Sequence, residues 1–207
     1  MNQLLLVVAA YLIGSLSFAV IISKIMGLAD PRTYGSNNPG ATNVLRSGNK
    51  KAAALTLLGD ALKGWIAIFL AQLAAPRLGL GDATIAACAV AATIGHMWPV
   101  FFRFKGGKGV ATALGILLAL NAWMGLGLLT IWLFMAKVVK ISSLSALIAA
   151  ICAPAFAWFL LPGEGYFTAV CVIALLLIAR HKKNIAGLLQ GKEGKIGQQA
   201  ATQRKIK

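Results

Sequence analysis

The residues best suited to chemistry fall in three stretches of one composition: glycine, hydroxyl, amide and cation, with almost no acid. In the first, Tyr34-Gly-Ser-Asn-Asn-Pro-Gly-Ala-Thr-Asn-Val-Leu-Arg46, Gly35 and Gly40 permit tight turns that aim successive backbone N–H groups inward. Ser36, Asn38, Thr42, Asn43 and Arg46 add donors around them. The spacing nearly reproduces a nucleotide-binding P-loop, but Ala41 stands where that loop needs lysine, so NTP hydrolysis is not expected. The second stretch runs from His96 to Thr112 and contains Lys105-Gly106-Gly107-Lys108-Gly109. Its glycines let the backbone approach a ligand, while two lysines and a helix N-terminus favour phosphate. The third is Arg180-His181-Lys182-Lys183-Asn184, where an i, i+3 spacing would put His181 and Asn184 on one helical face. Ser142 and Ser143 follow Lys140 at a further helix start, where serine also serves as an N-cap. Taken singly, each stretch has a plainer reading as turn, topology anchor or solvated helix end. Together they suit an anion carrying more than one phosphate.

The charge inventory narrows the classes. The five acids, Asp30, Asp60, Asp82, Glu164 and Glu193, are too scattered to form a metal site or a carboxylate pair for acid–base work. Asp60 and Lys63 lie one turn apart inside an apolar segment and read as a neutralising structural pair. Cys88, Cys152 and Cys171 sit in apolar segments without metal-ligand spacing and read as packing residues. No cofactor, metal or disulfide is expected. A net charge of +15 would suggest nucleic acid in a soluble protein, but these cations alternate with long apolar runs. With 59 % hydrophobic residues, 12 % charged residues and a mean hydropathy of +0.80, the chain is expected to be dissolved in lipid.

The elements that must position these residues are therefore all-α and membrane-embedded. Apolar runs at 4–25, 52–75, 84–100, 143–161 and 166–179 each suit one span of a hydrocarbon core about 30 Å thick. The run at 109–136 would make a helix about 42 Å long, too long for one comfortable span. Lys105 and Lys108 precede it and Lys137 and Lys140 follow it, so the preference of cations for the cytoplasmic side asks both ends to lie inside. We expect a hairpin of two short helices turning at Asn121, giving about seven transmembrane helices with five full spans. With the N-terminus outside and the C-terminus cytoplasmic, Lys63 and Arg77 are the only basic residues of the 20 that fall elsewhere. Residues 1–196 read as a single transmembrane domain and 197–207 as a basic, disordered tail held near anionic lipid. The first run lacks the basic region of a cleaved signal peptide and reads as a spanning helix.

At its three polar stretches the chain resembles the bacterial membrane-bound acyl-phosphate:glycerol-3-phosphate acyltransferases, the PlsY family. The resemblance lies in Gly35-Ser36, Gly40-Ala41-Thr42-Asn43 and Arg46; in His96 and Lys105-Gly-Gly-Lys-Gly-Val-Ala-Thr112; in His181 and Asn184; and in Gly59-Asp60 with Lys63-Gly64. It covers nearly the whole chain in the right order, departing at Trp98, where phenylalanine is expected. The resemblance implies transfer of a fatty acyl group from acyl phosphate to the 1-hydroxyl of sn-glycerol 3-phosphate, giving 1-acylglycerol 3-phosphate (lysophosphatidic acid) and phosphate. It implies a multi-pass enzyme of the bacterial inner membrane, with its site facing the cytoplasm and no obligatory protein partner. The His-x-x-x-x-Asp pair of other glycerolipid acyltransferases is absent, since Phe101 and Ala186 stand five residues after the two histidines. On this reading Ser36, Lys105, His181 and Asn184 are catalytic, and Lys105 with the 35–42 turn holds acyl phosphate. Arg46 and Lys108 hold glycerol phosphate, Ser142, His181 and Asn184 orient its hydroxyls, and a substrate phosphate oxygen takes the proton. The remaining residues of the three stretches bind substrate: Gly35, Asn38, Gly40, Ala41, Thr42, Asn43, His96, Gly106, Gly107, Gly109 and Thr112. An organic-anion or phosphate-ester transporter is the competing class, but the short, featureless outer loops argue against it.

Overall fold

A computed structural model describes residues 1–196; the expected tail at 197–207 lies outside the described residues. Among the described residues all regular structure is helical: α1 (Asn2–Gly14), α2 (Phe18–Ile25), α3 (Ala41–Leu45), α4 (Lys50–Arg77), α5 (Asp82–Met97), α6 (Val110–Leu120), α7 (Ala122–Val138), α8 (Ser142–Leu160), α9 (Glu164–Arg180) and α10 (Lys182–Leu189). Three helical segments, α4, α8 and α5 continued to Phe102, are long and apolar enough to cross a membrane, and the count reaches five if each of two bent pairs is one span.

The bent pairs correct two expectations. The run at 4–25 is not one helix; it breaks at residues 15–17 and turns by 42° into α2. Gly14-Ser15-Leu16-Ser17 marks the place, and contacts from distant segments hold the bend. Gly14 lies against the Ala92 carbonyl of α5, and Gly95 lies against the Tyr11 carbonyl, so α1 and α5 are clamped backbone to backbone. Past the clamp, the Leu16 carbonyl leaves the helical ladder and accepts a 2.5 Å hydrogen bond from the Lys63 ammonium. Gly59 of α4 then admits the Phe18 ring of α2. The second correction is at the other end: the chain bends by 59° between α9 and α10, with His181 at the bend, so His181 and Asn184 do not share a continuous helical face.

The hairpin turns where expected. Asn121 is extended, its Oδ1 caps α7 by accepting the Met124 N–H at 3.0 Å, and its Nδ2 donates to the Leu160 carbonyl at 3.1 Å. That bond sets the turn level with the end of α8. From there α6 runs back 11 residues, about 16 Å, whereas α8 runs 19 residues, about 28 Å. The two helices thus differ by about 12 Å in length, and the glycine stretch before α6 is folded into the bundle, with Gly106, Gly107 and Gly109 buried. Gly64 against the Thr112 carbonyl and Gly115 against the Ala61 carbonyl press α6 onto α4. Buried residues of α1, α4, α5, α6 and α9 form the main core, and a smaller cluster joins α6 and α9 to α7 and α8.

Candidate active site

The bundle holds a cavity of about 440 Å³. Its mouth is polar: Ser36, Asn38, Gly40, Ala41, Thr42, Asn43 and Arg46 come from the first stretch, His96, Lys108 and Gly109 from the second, and Ser142, His181 and Asn184 from elsewhere in the chain. Its floor is apolar, running between Leu117 on α6, Leu128 and Trp132 on α7, Ala150 and Ala153 on α8 and Val170 on α9. The expected stretches thus meet at one place. Gly35, Lys105, Gly106, Gly107 and Thr112 do not line the cavity.

In the first stretch Gly35 (φ +60°) and Asn37 (φ +55°) make the left-handed turn, and buried Asn43 ties it together. Asn43 Oδ1 accepts the Ser36 N–H at 3.0 Å, and its Nδ2 donates to the carbonyls of Pro31 and Tyr34 at 2.7 and 3.1 Å. The Ser36 N–H is therefore already used, and the expected ring of inward-facing amides is smaller by that group. Thr42 Oγ1 meets Ser142 Oγ at 3.3 Å, joining this stretch to the start of α8.

The second stretch is shaped by a residue the sequence reading left without a role. Arg180, at the end of α9, donates to the Gly106 carbonyl at 3.0 Å and to the Gly107 carbonyl at 3.0 and 3.2 Å. Its guanidinium also lies 5.3 Å from the centre of the Trp98 ring. Glycine carbonyls thus turn toward Arg180, and Gly109, at φ +90°, reverses the chain into α6. Lys108 is left lining the cavity, where burial first of all, aided by Arg46 and Arg180 and opposed by Glu193, pulls its ammonium down to about 8. Lys105 is exposed.

In the third region the His181 ring donates Nδ1–H to the Leu177 carbonyl at 2.7 Å, which leaves Nε2 as the acceptor of the neutral ring. Asn184 Nδ2 donates to both oxygens of Glu193 at 3.1 Å, and Ser143 Oγ donates to the same carboxylate. Glu193, also missing from the expected site, lines the cavity and counters its cations; the Ile196 N–H bonds the Lys140 carbonyl at 2.6 Å and fastens this segment to the end of α7. A sequence signal existed for both omissions: Arg180 adjoins a histidine already suspected, and Glu193 is the one acid that follows the third stretch. Nothing in the sequence pointed to Trp132.

A helical bundle with membrane-length members, and a cationic mouth leading into an apolar trough, suits a membrane protein that handles a phosphate-bearing molecule beside a hydrocarbon chain. The model of the glycerol-3-phosphate acyltransferase family matches residues 4–191, and the chain belongs to that family. It is 63 % identical over 192 residues to a glycerol-3-phosphate acyltransferase of Chromobacterium violaceum, covering 92 % of this chain and 93 % of the relative. It is 60 % identical over 200 residues to that of Thiobacillus denitrificans, covering 97 % and 100 %. Two solved structures of PlsY, an integral membrane glycerol 3-phosphate acyltransferase, are also similar. The glycerol 3-phosphate form superposes with a TM-score of 0.87 at 39 % identity and the lysophosphatidic acid form with 0.85 at 38 %, each covering 95 % of this chain and 96 % of the other.

Proposed function

We propose that the protein transfers a fatty acyl group from acyl phosphate to the 1-hydroxyl of sn-glycerol 3-phosphate, releasing lysophosphatidic acid and phosphate at the cytoplasmic face of the bacterial inner membrane. The observation that carries this reading is the change of character along one cavity, from Arg46, Lys108 and the hydroxyl and amide groups at its mouth to leucine, alanine and tryptophan at its floor. Such a cavity suits a reaction in which both substrates bear phosphate and one bears a chain. The related PlsY structures in glycerol 3-phosphate and lysophosphatidic acid forms support the acceptor and the product. The N-terminus is then outside and the C-terminus cytoplasmic, in keeping with the cations that crowd the mouth.

Arg46 and Lys108 hold the glycerol phosphate, while Ser142, His181 and Asn184 orient its hydroxyls. Ser36 and the 35–42 turn receive the acyl phosphate together with Lys105, whose exposed side chain does not line the cavity and must reach in when substrate binds. Phosphate is already a good leaving group, so positioning and charge neutralisation supply most of the acceleration. A phosphate oxygen of a bound substrate takes the hydroxyl proton as the mixed anhydride C–O bond breaks and the ester C–O bond forms. The test is formation of lysophosphatidic acid and phosphate by purified protein in lipid, given acyl phosphate and glycerol 3-phosphate without coenzyme A or added metal. Product that needs both substrates supports the reading; well-folded protein that makes none removes it.

A further inference from the structure

The buried ion pair on α4, whose Asp60 lines the cavity, has more neighbours than mutual neutralisation requires. Lys63 and Asp60 are 3 % and 2 % exposed and sit 2.8 Å apart on α4. The Lys63 ammonium also holds the Leu16 carbonyl at the break between α1 and α2. Asp60 Oδ1 lies 3.6 Å from His96 Nδ1, and that same ring nitrogen is 3.0 Å from Thr112 Oγ1 in the first turn of α6. On its opposite edge the ring presses on the glycine stretch, since a Cβ added at Gly107 would fall 2.2 Å from His96 Nε2. The His96 carbonyl accepts the Gly107 N–H at 3.1 Å, and Gly106 packs on that carbonyl so closely that a Cβ there would fall 2.1 Å from it. One imidazole is thus gripped between the ion pair, the loop and the helix that the loop opens.

We propose that Asp60 and Lys63 are positioning residues for the phosphate site, holding His96 and, through it, residues 106–108 in the register that presents Lys108 to the cavity. The inference rests on the reading of this cavity as a phosphate site. Two successive glycines carry no side chains that could fix their own backbone, so the order that a tight anion site needs must come from outside the loop. Arg180 supplies it from the carbonyl side. The α4 pair supplies it from the His96 side. A pair serving neutrality alone would be dispensable, because replacing both members of a buried ion pair with neutral groups of similar volume is often tolerated.

That difference makes the test. Asp60→Asn combined with Lys63→Met removes both charges together, leaving no uncompensated ion in the bundle. The expected double variant is monodisperse, with a melting temperature within a few degrees of wild type. Its KM for glycerol 3-phosphate is raised tenfold or more, and the thermal stabilisation given by inorganic phosphate alone is lost. Wild-type KM and a wild-type phosphate shift in the folded double variant overturn the proposal. Should the double variant fail to fold, Thr112→Val, which cuts the His96 link with no change of charge or shape, decides instead. A KM raised at least threefold supports the proposal, and a wild-type value overturns it. The phosphate shift separates the two readings: wild-type protein that binds phosphate but transfers no acyl group removes the proposed reaction and leaves this inference standing on the variant's lost shift.

Discussion

Two walls of the bundle use small residues, glycine in one and alanine in the other, to opposite ends. Along the seam between α4 and α6, Gly64 and Gly115 each meet a carbonyl of the other helix, so the two backbones touch and nothing enters. Across the cavity, α8 presents Ala146, Ala149, Ala150 and Ala153, and there the short side chains leave a trough instead of a seam. In lipid, helices gain by close packing more than by hiding apolar surface, so a small residue closes a gap only where the facing helix offers its backbone. The first wall fixes the glycine stretch in place. The second leaves an apolar trough, the place proposed for the chain.

The sharpest way to break the contrast is at the seam. Gly115→Leu puts a branched side chain where even a Cβ would lie 1.9 Å from the Ala61 carbonyl, and little monodisperse protein and no measurable transfer are expected by size-exclusion chromatography and product assay. Arg46→Ala leaves both walls standing and removes a cation from the mouth; kcat/KM is expected to fall about 10²–10³-fold, a loss typical of a charged transition-state contact, with unchanged melting behaviour. Ala150→Phe fills the trough and tests the second wall directly. The expected enzyme is folded, accepts short acyl phosphates, and loses about tenfold in rate with long ones relative to wild type. Equal losses at every chain length would place the chain elsewhere.

A smaller effect concerns protons. With the Lys108 ammonium held down to about 8, the free enzyme loses that charge as pH rises past this value, so KM for glycerol 3-phosphate should climb above pH 8. Lys108→Arg should flatten the climb. Stability moves the other way. The unfolded chain keeps its lysine protonated to about 10.4, so between these values it binds more protons than the fold, and the unliganded protein gains stability as pH rises. The smallest effect is expected outside both walls, where Asp30→Asn opens the 2.6 Å pair with Arg32; both side chains are a quarter or more exposed, and the cost should stay within about 1 kcal/mol by thermal unfolding.

What could be read from the sequence follows from the range of the forces involved. The apolar runs and the turn at Asn121 were legible because hydropathy and flanking cations are local quantities. The break at residues 15–17 was overlooked although Gly14-Ser15-Leu16-Ser17 marks it locally; what could not be read is that Ala92 and Lys63, both distant in the chain, hold it. The meeting of three polar stretches was legible as shared chemistry. Which lysine of Lys105-Gly-Gly-Lys108 lines the cavity was not, for the spacing treats them alike and the choice falls to Arg180 and the reversal at Gly109. The bend at His181 was hidden too, since no proline marks it.

The short α6 has a consequence for traffic. Being eight residues shorter than α8, it leaves Lys108 and Gly109 on the same hollow as Leu117 and Val170, with no wall between polar and apolar ends. On the proposed reaction, a fatty chain resting on that floor need not leave it to meet the water-borne acceptor, and the product can depart with its chain still among apolar helices.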